Sequence, residues 1–324
     1  YNTWQYYEAT ADAGFLSQYG AELILEIAKF WASAATYDRA DDRYDIRHVM
    51  GPDEYHDGYP WRDEPGLDNN TYTNVMVVWV LSRALACVEM LPLRRRGEVL
   101  DLLDIRREDL ERWEHMTRKM RVCWVADDVL AQFEGYDQLK ELPWTDYVER
   151  YGDISRLDRI LEAEGDTPNR YKLCKQADVA MLFYLLSADE LAEILQRLGY
   201  NYKDRLIPET VDYYRHRTSH GSTLSKIVHA WVLARSDRKE AWQFFLDALE
   251  ADLDDVQGGT TAEGIHLGAM AGTIDLLQRA FTGLETRGDA LHLDPCLPDD
   301  LAGMRFRLHY RQLLKTFVLQ AIAD

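Results

Sequence analysis

Apolar side chains recur at helical spacing in one segment after another across most of this 324-residue chain. Phe15, Leu23, Ile24, Ile27, Ala28 and Trp31 set the pattern in residues 15–37. Further helical segments are expected at 73–91, 98–121, 153–164, 173–187, 188–199, 222–236, 238–253 and 262–282. No strand pattern alternates with them, so the helices must cover one another's apolar faces. That leaves a helical bundle, a solenoid or an α/α toroid. Only after Gly288 does the period change, where Leu291–Pro295 and Met304–Tyr310 alternate as strands do. No convincing fixed-period repeat is present.

Charge and cysteine usage narrow the partners. The balance of 37 basic against 56 acidic residues gives −19, which disfavours nucleic acid and anionic membrane. A site for an anion would need local positive groups to overcome that field. Cys87, Cys123, Cys174 and Cys296 form no CxxC pair and read as reduced thiols of a cytoplasmic protein. No apolar run of membrane-spanning length and no signal-peptide pattern is expected. The chain opens Tyr-Asn-Thr-Trp without Met, and reads as an excised or cleaved piece of a larger protein.

Four loops that precede helices concentrate reactive groups. In the first, Arg47–His56, Gly51 and Pro52 break the backbone just before the adjacent carboxylates Asp53 and Glu54. The second is Lys175-Gln176-Ala177-Asp178, the third His220-Gly221-Ser222-Thr223, and the fourth Gly258-Gly259-Thr260-Thr261. The last two combine small residues, hydroxyls and a helix start, where backbone N–H groups and the helix dipole favour an anion such as phosphate. The same residues also make ordinary helix caps. Lys175, Arg217 and His220 add charge and hydrogen bonds to this set. His216 and His220 have the spacing of a metal pair, but without HExxH and beside Arg215 and Arg217; no metal site is expected. Ser222 lacks a GxSxG elbow, and there is no Walker loop or dinucleotide fingerprint.

Taken in order, six segments resemble the phosphorylase group of glycoside hydrolase family 65, which includes maltose, trehalose and kojibiose phosphorylases. They are Phe30-Trp31-Ala32-Ser33, Gly51-Pro52-Asp53-Glu54-Tyr55-His56, Leu67-Asp68-Asn69-Asn70-Thr71-Tyr72-Thr73-Asn74, Lys175-Gln176-Ala177-Asp178, Thr218-Ser219-His220-Gly221-Ser222-Thr223-Leu224-Ser225, and Thr260-Thr261-Ala262-Glu263-Gly264-Ile265-His266. The resemblance implies a mainly α fold, an (α/α)6 barrel over residues 1–288, with 289–324 beginning a small C-terminal β-sandwich. It also implies an N-terminal β-sandwich, a linker and early barrel helices before Tyr1, which would complete the sugar pocket; without them this chain would be an incomplete enzyme. Glu54 matches the family's general acid. His220, Gly221, Ser222 and Thr223, with Lys175, Thr260 and Thr261, match its phosphate site. Trp31, Asp53, Tyr55, Asn69, Asn70, Lys175 and Gln176 are the implied sugar contacts. A homodimer is the implied assembly, and phosphate is a co-substrate, with no cofactor. Two departures bear on the acceptor: Ala34 stands where many members have Arg, and residues 57–66 form a long insertion.

The implied reaction is inverting phosphorolysis of an α-linked glucose disaccharide to β-glucose 1-phosphate and a free sugar. An inverting glycosidase needs an acid and a base on opposite faces of the sugar. Phosphate is already a nucleophile, so an anion cradle replaces the base, while Glu54 protonates the leaving oxygen. Burial or the adjacent Asp53 is expected to keep Glu54 protonated. Two other readings stand beside this one. A hydrolase of the same fold would need a base, for which Glu263, Asp178, Asp212 and Glu209 are available. The third reading is a non-catalytic carbohydrate-binding remnant.

Overall fold

The computed structural model describes residues 1–255, 261–287 and 290–320. Helices dominate, as expected. The first are α1 (Asn2–Thr10), α2 (Ala13–Phe15) and α3 (Ala21–Ala34), followed by α4 (Thr71–Met90), α5 (Leu93–Leu102) and α6 (Arg107–Lys119). A less regular stretch holds α7 (Trp144–Tyr151), α8 (Leu157–Ala163) and α9 (Ala180–Leu185). Then come α10 (Ala188–Arg197), α11 (Leu206–Arg215), α12 (Thr223–Leu233), α13 (Arg238–Glu250) and α14 (Leu267–Asp275).

Two helices organise the packing. In α4, Val75, Val78, Leu81, Ala84 and Cys87 are fully buried, and the helix packs against α3 and α6. Asn70 starts it, its Oδ1 accepting the Thr73 N–H at 2.9 Å and so satisfying one of the orphan donors of a helix start. This helix corrects the expectation of no membrane-length apolar run: its length and composition would suffice to cross a bilayer, but 61% of its most apolar window is buried inside the fold. The second helix, α12, packs against α9, α13 and α14.

Several predicted boundaries move. The expected helix 98–121 is two helices, because Leu103 and Ile105 turn into the core around Asp104, whose φ is +46°. The Asp109 carboxylate then accepts the Arg106 N–H at 2.9 Å to start α6. Helix 15–37 stops at Ala34, and β1 (Ala35–Asp38) pairs antiparallel with β2 (Arg43–Ile46), so the first reactive loop follows a hairpin rather than a helix. Tyr37 and Tyr44 pack across that hairpin, ring centroids 4.9 Å apart. The expected helix 262–282 begins only at Leu267 and ends in a π-turn, Leu276–Ala280.

Small sheets close the loops. β3 (Trp124–Ala126) pairs antiparallel with β4 (Val129–Leu130), and β5 (Lys140–Glu141) pairs parallel with β6 (Tyr171–Lys172). Beyond the helices, β7 (Glu285–Arg287) pairs with β8 (Ala290–His292), and β9 (Gly303–Tyr310) with β10 (Leu313–Gln320). Phe306 and Phe317 stack across the last pair at 5.1 Å. After the helices, strands form where the sequence period changes to two. The expected boundary between 288 and 289 lies outside the described residues.

Candidate active site

Three of the four reactive loops converge, although the first lies more than a hundred positions before the other two in the chain. Backbone bonds join the second and third. Cys174 N–H donates to Arg217 O at 2.7 Å, Ser219 N–H to Cys174 O at 2.8 Å, and Gly221 N–H to Lys175 O at 2.9 Å. Close approach makes Gly221 obligatory here, since a Cβ would run into the Ser155 carbonyl oxygen.

Side chains tie the first loop to this pair. Asp53 is buried, and its Oδ1 accepts the Lys175 N–H at 2.7 Å and the Gln176 N–H at 3.4 Å. Gln176 Nε2 returns a bond to Pro52 O at 2.6 Å. Lys175 Nζ donates to Glu54 Oε2 at 2.5 Å. Tyr55 reaches the third loop directly, its hydroxyl 3.0 Å from Ser219 Oγ and bonded to Ser155 O at 3.2 Å. Burial pushes the Tyr55 phenol up to about 12, so it acts as a neutral hydrogen-bonding group.

The two adjacent carboxylates have opposite surroundings. Asp53 points inward, while the Glu54 side chain is 58% exposed. Burial, one of the two features expected to act on Glu54, falls instead on Asp53 and on Asp178. Asp178 accepts the Asn70 side-chain amide at 3.2 Å and the Asp53 N–H at 3.4 Å. Asn70 is therefore a helix cap and a partner of Asp178. Asn69 is equally buried, donating to Asp45 at 3.2 Å and Glu134 at 2.7 Å and accepting the Ile46 N–H at 3.1 Å. Both asparagines hold the loop from behind, with hydrogen bonds inside the protein. Trp31 packs on the core from α3, with Phe30 as its ring neighbour at 5.2 Å.

Beside the joined loops lies a cleft of about 550 Å³. Ser219, His220, Gly221, Ser222 and Thr223 line one side, at the N-terminus of the eleven-residue α12. Ser222 stands at the cap position, and its side chain makes no capping bond. Arg156, Arg159 and Lys226 bring three cations to the same cleft, with Asp153 and Asp255 at its edge. Arg156 pairs with Asp158 at 2.9 Å and Lys226 with Asp247 at 3.2 Å, while Arg159 makes no ion pair among the described residues. The cleft lining itself thus carries three cations against two carboxylates, although two of the cations already face carboxylates of their own.

Two expected cationic contributors behave differently. His220 was expected to add charge. Instead it packs against His229 at 4.5 Å and Phe244 at 4.9 Å, and burial lowers its pKa to about 3. It is a neutral imidazole, its Nδ1 2.9 Å from Ser225 Oγ. Arg217 turns away to Glu141, with Nε and Nη2 each 3.1 Å from a carboxylate oxygen. Of the fourth loop, Gly258, Gly259 and Thr260 lie outside the described residues. Thr261 N–H donates to Asp255 Oδ1 at 3.2 Å, which places Thr261 next to a residue of the cleft rim.

Arg156, Arg159 and Lys226 were missed by sequence reasoning. A signal existed for Lys226, which follows Ser222 by one helical turn and so shares its face. Arg156 and Arg159 are three apart at the start of α8, a pattern also common on solvated helices. Among the described residues, no group of three His, Cys, Asp or Glu side chains is arranged to hold a metal.

Comparison with known proteins gives concordant matches. The model described as the glycosyl hydrolase family 65 central catalytic domain matches residues 1–275, and that of the family's C-terminal domain matches 284–314. An uncharacterised glycosyl hydrolase of Mycobacterium tuberculosis is 53% identical over 96% of this chain and 23% of its own length. Trehalose 6-phosphate phosphorylase of Lactococcus lactis is 37% identical over 96% of this chain and 39% of its own. Kojibiose phosphorylase of Caldanaerobacter subterraneus is 32% identical over 95% and 38%. A solved structure, a putative kojibiose phosphorylase from the human microbiome, superposes with a TM-score of 0.77 at 24% identity. It covers 98% of this chain and 43% of that one, and supports the same fold. The chain thus spans less than half the length of these relatives.

Proposed function

Because the chain belongs to glycosyl hydrolase family 65, we propose that it carries the acid and the phosphate cradle of an inverting phosphorylase acting on an α-glucosyl disaccharide. The observation that carries this reading is that the Lys175 backbone joins both loops, its N–H donating to Asp53 beside Glu54 and its carbonyl accepting the Gly221 N–H at the mouth of the cationic cleft. An acid and an anion site are therefore held in one bonded unit.

In this mechanism Glu54 gives its proton to the glycosidic oxygen as the bond to the anomeric carbon breaks. Phosphate attacks that carbon from the opposite face, giving β-glucose 1-phosphate and a free sugar. Ser222, Thr223, Gly221 and the start of α12 supply hydroxyl and backbone donors to the phosphate. Lys175, Lys226, Arg156 and Arg159 supply charge, and His220 serves as a neutral hydrogen-bonding wall. Positioning and preorganised charge supply most of the acceleration. Of the sugar contacts expected from sequence, Gln176 and Tyr55 lie nearest this unit, whereas Asp53, Asn69 and Asn70 support it from within.

A hydrolytic reading has one favouring observation: Asp153 and Asp255 both border the cleft and could activate water. Among the bases considered from sequence, Asp178 is fully enclosed, and Asp212 faces His216 at 3.8 Å on the exposed side of α11. The complete protein, incubated with α-linked glucose disaccharides with and without phosphate, separates the readings. The panel includes trehalose 6-phosphate as well as neutral sugars, because the relatives' names cover both. Sugar phosphate formed only with phosphate supports phosphorolysis. Glucose released without phosphate establishes hydrolysis instead, and no reaction across the panel favours a binding role.

A further inference from the structure

The first loop rests on a carboxyl group with no cation beside it among the described residues. Asp178 follows the Lys175 loop and is 3% exposed. Its hydrogen bonds come from two neutral donors, the Asn70 amide and the Asp53 N–H. Gly51 lies so close that a Cβ there would collide with Asp178 Oδ2 and Asn70 Nδ2. Asp53, in contrast, collects the Lys175 and Gln176 N–H groups and faces His56 Nδ1 at 3.3 Å. The other titratable neighbours of Asp178 are Tyr72 from α4, Cys174 from the chain before it and Tyr214 from α11. Burial raises all three, so they are neutral and give no countercharge. Two carboxylates thus share an enclosed space, and every charge-stabilising donor except the Asn70 amide and one N–H belongs to Asp53.

We propose that Asp178 is a positioning residue that carries a proton in the working protein and, through Asp53 and Asn70, sets the loop bearing Glu54 against the Lys175 loop. The functional half of this inference rests on the phosphorylase reading; the proton itself does not. The chemistry agrees with the geometry, since burial first and the Asp53 charge second push Asp178 up to about 8. Ionisation would put two negative charges behind Gly51-Pro52-Asp53 and loosen the contact that fixes Glu54. The sign for stability follows. A carboxyl whose pKa is raised on folding binds its proton more tightly in the folded state. Its stabilising contribution is greatest at low pH and is lost as pH rises from the unfolded value, about 4, toward about 8.

The test compares the complete wild-type protein with Asp178→Asn, which imitates the protonated acid in size and neutrality. Thermal melting and phosphorolysis are followed from about pH 5 to about pH 9. Wild type is expected to lose melting temperature and kcat toward the alkaline end, with the variant losing less of both and keeping its KM for phosphate within about twofold. The same alkaline losses in both proteins would overturn the proposal. If no substrate reacts but the melting curves diverge as described, the proton assignment holds and the phosphorylase reading fails. If phosphorolysis is present and the melting curves run parallel, the reverse is true. Should Asp178→Asn not fold, infrared spectra of wild type decide. A protonated-carboxyl band that disappears between neutral and alkaline pH supports the assignment, and its absence at neutral pH overturns it.

Discussion

The two halves of the site are built by opposite means. The loop bearing Glu54 is fixed from behind by buried polar groups, Asp53, His56, Asn70 and Asp178, none of them more than 3% exposed. The cations and cap serine of the cleft at α12, Arg156, Arg159, Ser222 and Lys226, are half-exposed or exposed and are gathered from helices far apart in sequence. A proton donor must hold one orientation, and buried reciprocal bonds give it that. An anion cradle can tolerate rotamer freedom, because long cations act through charge as well as geometry. The difference predicts that damage to the first half appears as lost turnover and lost stability, and damage to the second as weaker phosphate binding.

The sharpest break in that comparison is Glu54→Gln in the complete protein. Removing a general acid typically costs about 10²–10⁴ in rate. The side chain is 58% exposed, so melting temperature should stay close to wild type. Near-normal kcat for a substrate that the wild type phosphorolyses would refute the assignment of the acid.

Gly51→Ala strikes the support rather than the acid. The new methyl group meets Asp178 and Asn70 in a closed space, and overpacking of this kind costs about 1–3 kcal/mol. Urea unfolding should show that loss together with a reduced kcat. A variant with wild-type stability would show that the loop is not fixed from behind.

Arg159→Ala tests the second half. This exposed arginine has no ion pair among the described residues, so its removal should leave the unfolding midpoint unchanged. Loss of one charged contact to phosphate should raise KM for phosphate by roughly tenfold, with a much smaller change in kcat. Equal effects on the KM values for sugar and phosphate would place Arg159 outside the anion cradle.

The same contrast explains what could be read from the sequence. Helical periodicity and the late change to a period of two announced the fold class, because both are local patterns. The loop of Glu54 and the start of α12 were legible for the same reason: turn residues next to carboxylates or hydroxyls are visible within a few positions. Periodicity could not show that Asn69 and Asn70 face inward, since polar residues before a helix look alike whether they bind a ligand or brace a loop. Nor could it find the hairpin of β1 and β2, whose four-residue strands are too short to alternate convincingly. Arg156 and Arg159 reach the cleft only through the packing of α8 near residues about sixty positions later, a long-range fact with no local mark.

The smallest expected effect concerns His220, which joins the two halves in chemistry if not in burial. It lines the anion cleft and is only half-buried, unlike the residues behind the acid loop, yet its ring packs on His229 and Phe244. Burial, His229 and Lys226 all act against a positive charge on it, which gives the value of about 3. Its buried neighbour His229 is likewise lowered by burial, to about 4. In the unfolded chain both imidazoles would titrate at about 6.5, so the unfolded state binds more protons below that pH. Their neutral burial therefore withdraws stability as pH falls from about 6.5 toward about 3–4, the reverse of the Asp178 effect. A cationic His220 would instead tighten phosphate binding as pH falls through its pKa. The neutral one predicts no such step: once the ionisation of phosphate itself is allowed for, KM for phosphate should show no histidine inflection between about pH 5 and about pH 8. His220→Asn, which keeps a polar side chain and cannot be protonated, should match wild type in that profile while losing less melting temperature at acid pH. An inflection present in wild type and absent from the variant would make His220 a cationic phosphate ligand, and the anion site would then depend on buried charge after all.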